Sequence, residues 1–476
     1  MDYRARSARA FYGRASLPPS GIGYTRAMQE NPDNSAPADL LPADFIVEAP
    51  WLISVAAGTP TIEDAAIAIT GTTIAGVGTR KEINSRFSAR RTQILQSHVL
   101  LPGLVNAHGH AAMTLFRGYA EDTSLQTWLN EAIWPLEAKW VDDSFVRDGT
   151  RLAIVEMIRS GITCFSDMYY YPEVVAEQAK EAGIRAQVAF PVIQFPNAWS
   201  ASTEEGFHKG FALHDTYRND PHIEVAFGPH SVYTITDDDL DKILTYSEEL
   251  DANIQIHLHE NAAELKENHA LFGTSGVEHL NQRGLLGPRL QAVHTTQLTA
   301  EEIELFAQNN VHVIHCPTSN AKLASGVCPT SELIEAGVNI ALGTDGAASN
   351  NTLDLLNEAR LASLMAKLQR QDAAALPART VLEMATINGA RALGLADQIG
   401  SLETGKAADM IAIDVSGPEF QPLFDPLAQI IHTSSASAVS HVWAAGDCIL
   451  DNRVLRSLDL AATLQSVAMW RDRIRR

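Results

Sequence analysis

Between residues 101 and 400, short and nearly continuous apolar runs alternate with longer stretches whose apolar positions recur every three to four residues. The first pattern predicts buried strands and the second predicts amphipathic helices. Strands are predicted at 104–110, 162–168, 185–192, 223–231, 253–260, 290–295, 311–317 and 339–345. Helical patterns fall at 142–160, 173–183, 237–250, 299–309 and 331–336, and two more, 352–370 and 380–393, follow the last strand. Thr236, before Asp237, Asp238 and Asp239, and Thr299, before Glu301 and Glu302, read as N-caps followed by an acidic first turn. Eight strands alternating with helices predict an α/β fold, a (β/α)8 TIM-like barrel. A doubly wound open sheet is the other arrangement, but the chain has no GxGxxG turn.

The flanks read differently. Short extended segments are predicted at 45–47, 51–55, 65–70 and 73–77, the last two on either side of the turn pair Gly71-Thr72. Near the other end, the turn-rich link 400–406 leads to a strand at 409–414 and a hairpin from 441–445 and 448–450. Two β-rich ends around a different middle predict one small β-sandwich domain built from both ends of the chain. The expected division is a tail at 1–38, the first part of the sandwich at 39–100, the barrel at 101–400, the second part at 401–455, and a C-terminal helix within 456–476. The tail carries Arg4, Arg6, Arg9, Arg14 and Arg26 with few acids. No apolar segment with a cleavage site follows, so it reads as a disordered tail, or as an upstream start with Met28 the true one, rather than a targeting segment. The last helix, at 458–475, reads as a packing or interface element.

Composition narrows the function. The net charge of −21 argues against binding to nucleic acid, though not against a single nucleoside. No apolar run approaches the ~18–20 residues that span a membrane. Cys164, Cys316, Cys328 and Cys448 are scattered and form no CxxC. That suits a reducing, cytoplasmic compartment and offers neither a disulfide framework nor a cysteine-based zinc site.

In a barrel the active site forms where the strands end. Here the predicted ends carry His108 and His110, His230, His257 and His259 followed by Glu260, His294, His315, and Asp345. On an extended strand, residues two apart share a face, so His108 and His110 can aim at one point like two ligands of a metal. The same holds for His257 and His259, and spacing alone leaves either as a ligand. Packing does not explain six strands that place His or Asp at one face, because buried ionisable groups are costly without a partner. A metal ion removes that cost.

The stretches PGLVNAHGH, HLHE, HCPTSNAKLASG and LGTDGAASNN carry a family resemblance. The chain resembles the amidohydrolase superfamily, in its cytosine-deaminase-like branch with one divalent metal, over residues 50–451. Within that branch TLFRGYAED, WPLE, DMYYYPE, GPHSVY and DGAASNNTLDL are similar to 5'-methylthioadenosine/S-adenosylhomocysteine deaminases and related adenosine deaminases. The resemblance implies metal ligation by His108, His110, His257 (in preference to His259) and Asp345, with Zn²⁺ as the ion and Fe²⁺ also suited to that donor set. It implies that water attacks C6 of adenine, that Asp345 takes the water's proton, and that His294 orients the attacker. A protonated Glu260 contacts the ring and supplies a proton to N1. Glu137 is expected to accept from the 2' and 3' hydroxyls of ribose, and His230 to hydrogen-bond the purine or its sugar. The segments 185–192 and 223–231 hold no lysine that could bridge a second metal, which favours a mononuclear site.

The partners so implied are a nucleoside and water, and the resemblance also implies a homo-oligomer. The candidate nucleosides differ only at the 5' position. The loop FPVIQFPNAWSAST, 190–203, has no cation but offers Phe190, Phe195 and Trp199, which favours a methylthio or hydroxyl group there over an amino acid. A deaminase of another heterocycle (guanine, 8-oxoguanine, cytosine or a triazine) would share the barrel chemistry with a different pocket. A non-catalytic barrel scaffold would be expected to lack a ligand or Glu260, and the set is complete.

Overall fold

The computed structural model describes residues 40–433 and 436–475, so the expectations for 1–38 lie outside the described residues. The strands β1 (Leu41–Leu52), β2 (Ile62–Thr70) and β3 (Thr73–Thr79) form an antiparallel meander around the expected Gly71-Thr72 turn. Two segments that sequence reading leaves unassigned, β4 (Phe87–Ile94) and β5 (His98–Pro102), pair in parallel with β1. The ladder to β4 runs to Glu48, and the ladder to β5 begins at Trp51. Pro50 sits at this fork, where its missing N–H removes no bond from either ladder. The pattern predicts two short strands around 48–50. The structure has one, because the proline falls where β1 changes partner.

The apolar runs of the middle become eight parallel strands, and each pairs with its neighbours in chain order. They are β6 (Leu104–Asn106), β7 (Ile162–Met168), β8 (Arg185–Val192), β9 (Ile223–Pro229), β10 (Ile254–Leu258), β11 (Leu290–His294), β12 (His312–His315) and β13 (Asn339–Leu342). The barrel closes between β6 and β13 through single bonds. Ala107 N–H donates to the Leu342 carbonyl at 2.9 Å, and Asp345 N–H donates to that of His108 at 3.1 Å. Gly343 permits this approach, since a Cβ there would lie 2.9–3.0 Å from His108. The first barrel strand therefore ends at Asn106 rather than at 110. His108 and His110 lie just past it, leading into the 3-10 turn Ala111–Phe116.

Helices cover the barrel as expected at Asp143–Ser160, Pro172–Ala182, Asp237–Leu250, Ala300–Asn309 and Thr330–Glu335. Thr236 and Thr299 cap theirs by accepting from Asp239 and Glu302. Three further helices, Thr203–Tyr217, Ala262–Phe272 and Gly276–Gln282, carry no clear sequence signal. In the first of them, Gly206 and Gly210 weaken the helical pattern, yet Gly210 is where the ring of Phe190 packs: a Cβ there would lie 2.5 Å from it. The long helix expected at 380–393 is broken into Ala378–Met384 and Ile387–Ala392. The break frees the Ala385 carbonyl, which accepts from Val105 N–H at 2.9 Å and so anchors the first barrel strand.

After the barrel, β14 (Met410–Asp414), β15 (Val439–Ala444), β16 (Asp447–Asp451) and β17 (Val454–Leu455) return to the first sheet. β14 pairs antiparallel with β5, so strands from both ends merge into one nine-stranded mixed sheet. Val47, Ile67 and Leu100 from the first part share one core with Met410, Ala412 and Trp443 from the second. The expected unit built from both ends is present, held as a single forked sheet. The helix Leu460–Ile474 packs back on Asp143–Ser160, and Trp470 donates to Asp148 at 2.8 Å.

Candidate functional site

Parallel register brings the strand ends to one level. Leu258 lies opposite His294 and His315 opposite Leu342. At this rim four non-glycine residues adopt left-handed backbone: His259 (φ 52°), His294 (φ 75°), Thr295 (φ 48°) and Asp345 (φ 60°). Such conformations are rare and concentrate where surrounding structure enforces them for function.

In two overlapping triplets, His108–His257–His294 and His108–His110–Asp345, one ligand atom from each residue lies within 4.8 Å of the others. The imidazole orientations are fixed from behind. His108 Nδ1 donates to Gln255 Oε1 (2.8 Å), His110 Nδ1 to the Met168 carbonyl (2.6 Å) and His257 Nδ1 to the His230 carbonyl (2.8 Å). The Gln255 amide is itself fixed, because its Nε2 donates to Ala107 O, Ser166 Oγ and Gln291 Oε1. Each of these three rings therefore presents a bare Nε2. For His108, buried and 0 % exposed, that atom has no hydrogen-bond partner. Asp345 Oδ1 faces it at 3.6 Å and faces His110 Nε2 at 3.3 Å, while Oδ2 accepts from Ser319 and Ser349. An orphaned, buried lone pair beside two more imidazoles and a carboxylate is the donor set that Zn²⁺ takes.

His294 differs from the other three. Its Nδ1 accepts from Asn320 Nδ2 at 3.0 Å, so the ring hydrogen sits on Nε2, 3.8 Å from Glu260 Oε2. Burial pushes its pKa down to about 4, which leaves the ring a neutral donor. His259 lies outside the cluster. Its left-handed backbone turns the ring away from His257, and its Nδ1 lies 3.2 Å from the Gln297 carbonyl. His315, also on a strand end, is buried and belongs to neither triplet.

The cluster opens into a cavity of about 700 Å³. Glu260 enters from the end of β10, and burial and then the charge of Asp345 push its carboxyl up to about 8. Glu137 lines the wall from the helix Trp134–Trp140, accepts from Tyr169 Oη at 2.7 Å, and is raised by burial to about 7. His230 also lines the cavity, its ring against that of His257 with centroids 4.8 Å apart. The outer wall is apolar and includes Leu125, Trp128, Leu129, Ile133 and Phe195, and among the described residues no lysine or arginine lines the cavity. Of the three aromatic residues expected from the loop 190–203, only Phe195 faces it. Phe190 is buried against Phe227, and Trp199 is buried with its indole N–H on Glu173. Aromatic content alone does not tell which side of a loop meets the ligand.

Gln255, Asn320, Ser319, Ser349 and Glu264 are absent from the sequence reading. Gln255 had a signal, since it stands two residues before His257 on one strand and so on the same inward face. The hydroxyls on Asp345 and the amide on His294 come from the short helices Pro317–Lys322 and Ala347–Asn350, whose approach only the fold reveals.

Three comparisons bear on this geometry. The model of the amidohydrolase family matches residues 99–449. A 5-methylthioadenosine/S-adenosylhomocysteine deaminase of Teredinibacter turnerae is 46% identical over 431 residues, covering 90% of this chain and 98% of that one. A protein of the same name from Saccharophagus degradans is also 46% identical, over 91% of this chain and 97% of its own. Among solved structures, an adenosine deaminase of Xanthomonas campestris with bound zinc superposes with a TM-score of 0.90 at 44% identity, covering 92% of this chain and 99% of that one.

Proposed function

The chain belongs to the amidohydrolase family, and on that premise we propose that it deaminates an adenine nucleoside, releasing the 6-oxo analogue and ammonia. The observation that carries this is the cavity itself: three bare imidazole nitrogens and a carboxylate at its base, with a buried carboxylic acid on one side and a second carboxyl on the wall.

His108, His110, His257 and Asp345 would hold one divalent ion, Zn²⁺ by donor chemistry. Such an ion supplies Lewis-acid activation of water at neutral pH. The chain's residues do the rest. Asp345 accepts a proton from the attacking water. His294, with its hydrogen on Nε2, orients that water and stabilises charge as it develops on oxygen. Glu260, protonated at neutral pH by burial, donates to N1 as C6 becomes tetrahedral. The proton on Asp345 passes to the amine, ammonia leaves, and loss of the remaining hydroxyl proton gives the 6-oxo purine. Glu137 accepts from the ribose hydroxyls, and His230, neutral because burial lowers it to about 4, bonds the purine or its sugar.

The 5' group would face a wall that holds no cation among the described residues. A carboxylate placed there would lie against Leu125, Leu129 or Phe195 unpaired, at a cost a methylthio group avoids. We therefore rank 5'-methylthioadenosine and adenosine above S-adenosylhomocysteine. All four cysteines are unpaired, which supports a reducing, cytoplasmic setting. The test is direct: metal-loaded protein is incubated with each of the three nucleosides while the adenine-to-hypoxanthine absorbance change is followed. Turnover of the first two with higher kcat/KM than the third supports the reading. No turnover of any adenine nucleoside, with guanine or a pyrimidine consumed instead, overturns it.

A further inference from the structure

The proton donor proposed above sits on a turn that needs explaining. β10 stops at Leu258, and His259 then takes a left-handed conformation with φ 52°. Two consecutive main-chain N–H groups, those of His259 and Glu260, leave the strand together and have no strand partner to meet. Both are taken by one side chain. Glu264 Oε1 accepts from His259 N–H at 2.8 Å, and Oε2 accepts from Glu260 N–H at 2.7 Å.

Glu264 lies in the first turn of the helix Ala262–Phe272, and the ordinary reading is a carboxylate that favours a helix start. Its bonds say otherwise. The free N–H groups of that helix, those of Ala263 and Glu264, are served by the N-cap side chain of Asn261 at 2.8 and 3.0 Å. Glu264 reaches past the cap to the two residues before it. It is 5 % exposed and lines the cavity. On the opposite side Thr296 Oγ1 donates to the Glu260 carbonyl at 2.7 Å, and Ser325 Oγ donates to Glu260 Oε1 at 3.3 Å. The main chain of Glu260 is thus gripped from both sides, and the carboxyl that holds its N–H also holds that of His259 through its other oxygen.

We propose that Glu264 is a positioning residue for Glu260, its two carboxyl oxygens clamping the His259–Glu260 turn so that the donor's carboxyl enters the cavity at a fixed depth. This inference rests on the deaminase reading above. Removing one of the two acceptors orphans a buried N–H and loosens the turn. Proton transfer falls steeply when the donor shifts by an ångström.

The experiment is a double-mutant cycle on the metal-loaded full chain: Glu264→Gln, Glu260→Gln and both together, with kcat, KM and bound metal measured for each. Glu264→Gln is expected to lower kcat ~10–100-fold with KM and metal content unchanged. In the Glu260→Gln background the same change is expected to cost nothing further, because there is no donor left to position. An equal loss in both backgrounds marks a merely structural residue and overturns the proposal, as does a wild-type kcat for the single variant. Should Glu264→Gln not fold, Glu264→Asp keeps both oxygens on a stem one methylene shorter. It is expected to lose kcat at constant KM, and normal turnover overturns the proposal. Failure of the underlying reading looks different: Glu260→Gln alone then turns over normally.

Discussion

The main-chain oxygen of His230 accepts both N–H groups of His257, Nδ1 at 2.8 Å and the backbone nitrogen at 3.1 Å. A residue facing the substrate cavity and a candidate ligand of the ion are therefore joined through one carbonyl. This fixes the His257 ring with its Nε2 toward the cluster, and no equivalent grip aims His259 there. His257→Ala is expected to lose bound metal and activity together. His259→Phe is expected to keep a full complement of metal, with its cost in stability. Metal analysis of the two purified variants decides it, and the reverse pattern would remove His257 from the ligand set.

Gln255 offers a check on the rear of the same centre. Its oxygen accepts from His108 Nδ1, and its nitrogen is held by three acceptors, so the amide can present only one face. Partners of this kind commonly contribute 10–100-fold to metal affinity. Gln255→Leu is expected to weaken zinc binding by ~10–100-fold, measured by competition with a chelator. Unchanged affinity would mean that the His108 ring is held by packing alone.

Glu260 and His294 separate chemistry from binding. Glu260→Gln keeps the shape and loses the proton, and is expected to lower kcat by ~10²–10⁴-fold while metal content and KM hold. His294→Asn is expected to act similarly, since it removes the Nε2 hydrogen proposed to orient the attacking water. A loss confined to KM in either variant would assign the residue to binding.

Glu137 is expected to read the sugar. Glu137→Gln keeps the size and one acceptor but loses the charge, at a cost of about 1.5–3 kcal/mol for bonds to an ionised group. That is ~10–100-fold in kcat/KM for a nucleoside. A 2',3'-dideoxy analogue, lacking the hydroxyls, is expected to show no such difference between variant and parent. If the dideoxy compound is equally penalised, Glu137 acts elsewhere.

Much of this architecture is legible in the chain, and the exceptions follow a physical rule. The barrel strands are buried on both faces and so read as apolar runs. β7 and β8 fall at the expected residues, and the others end a few residues early, where the chain turns into the rim. Helices stabilised by close packing escape detection, as Thr203–Tyr217 does with its two glycines against Phe190 and Pro191. In the site, the histidines and Asp345 are legible because ionisable groups at buried strand ends are conspicuous. The choice between His257 and His259 is not, since the strand rule gives them one face and the left-handed backbone at His259 breaks it. One hydroxyl on Asp345, that of Ser319, arrives from 26 residues away in sequence, which no local pattern connects.

The pairing of β5 with β14 places the strand that precedes the barrel beside the strand that follows it. Gly103 N–H, at the threshold of the first barrel strand, donates to the Asp409 carbonyl. During synthesis, the N-terminal half of this sheet therefore leaves the ribosome with an open edge. It must wait through the whole barrel before its partner emerges. Contacts so distant in sequence carry a large closure entropy and form late. Closure of this sheet, and with it the anchoring of the strand that leads to His108, therefore waits for synthesis of the whole barrel. Until β14 arrives, the β5 edge offers unpaired main-chain groups, the kind of edge on which strands mispair.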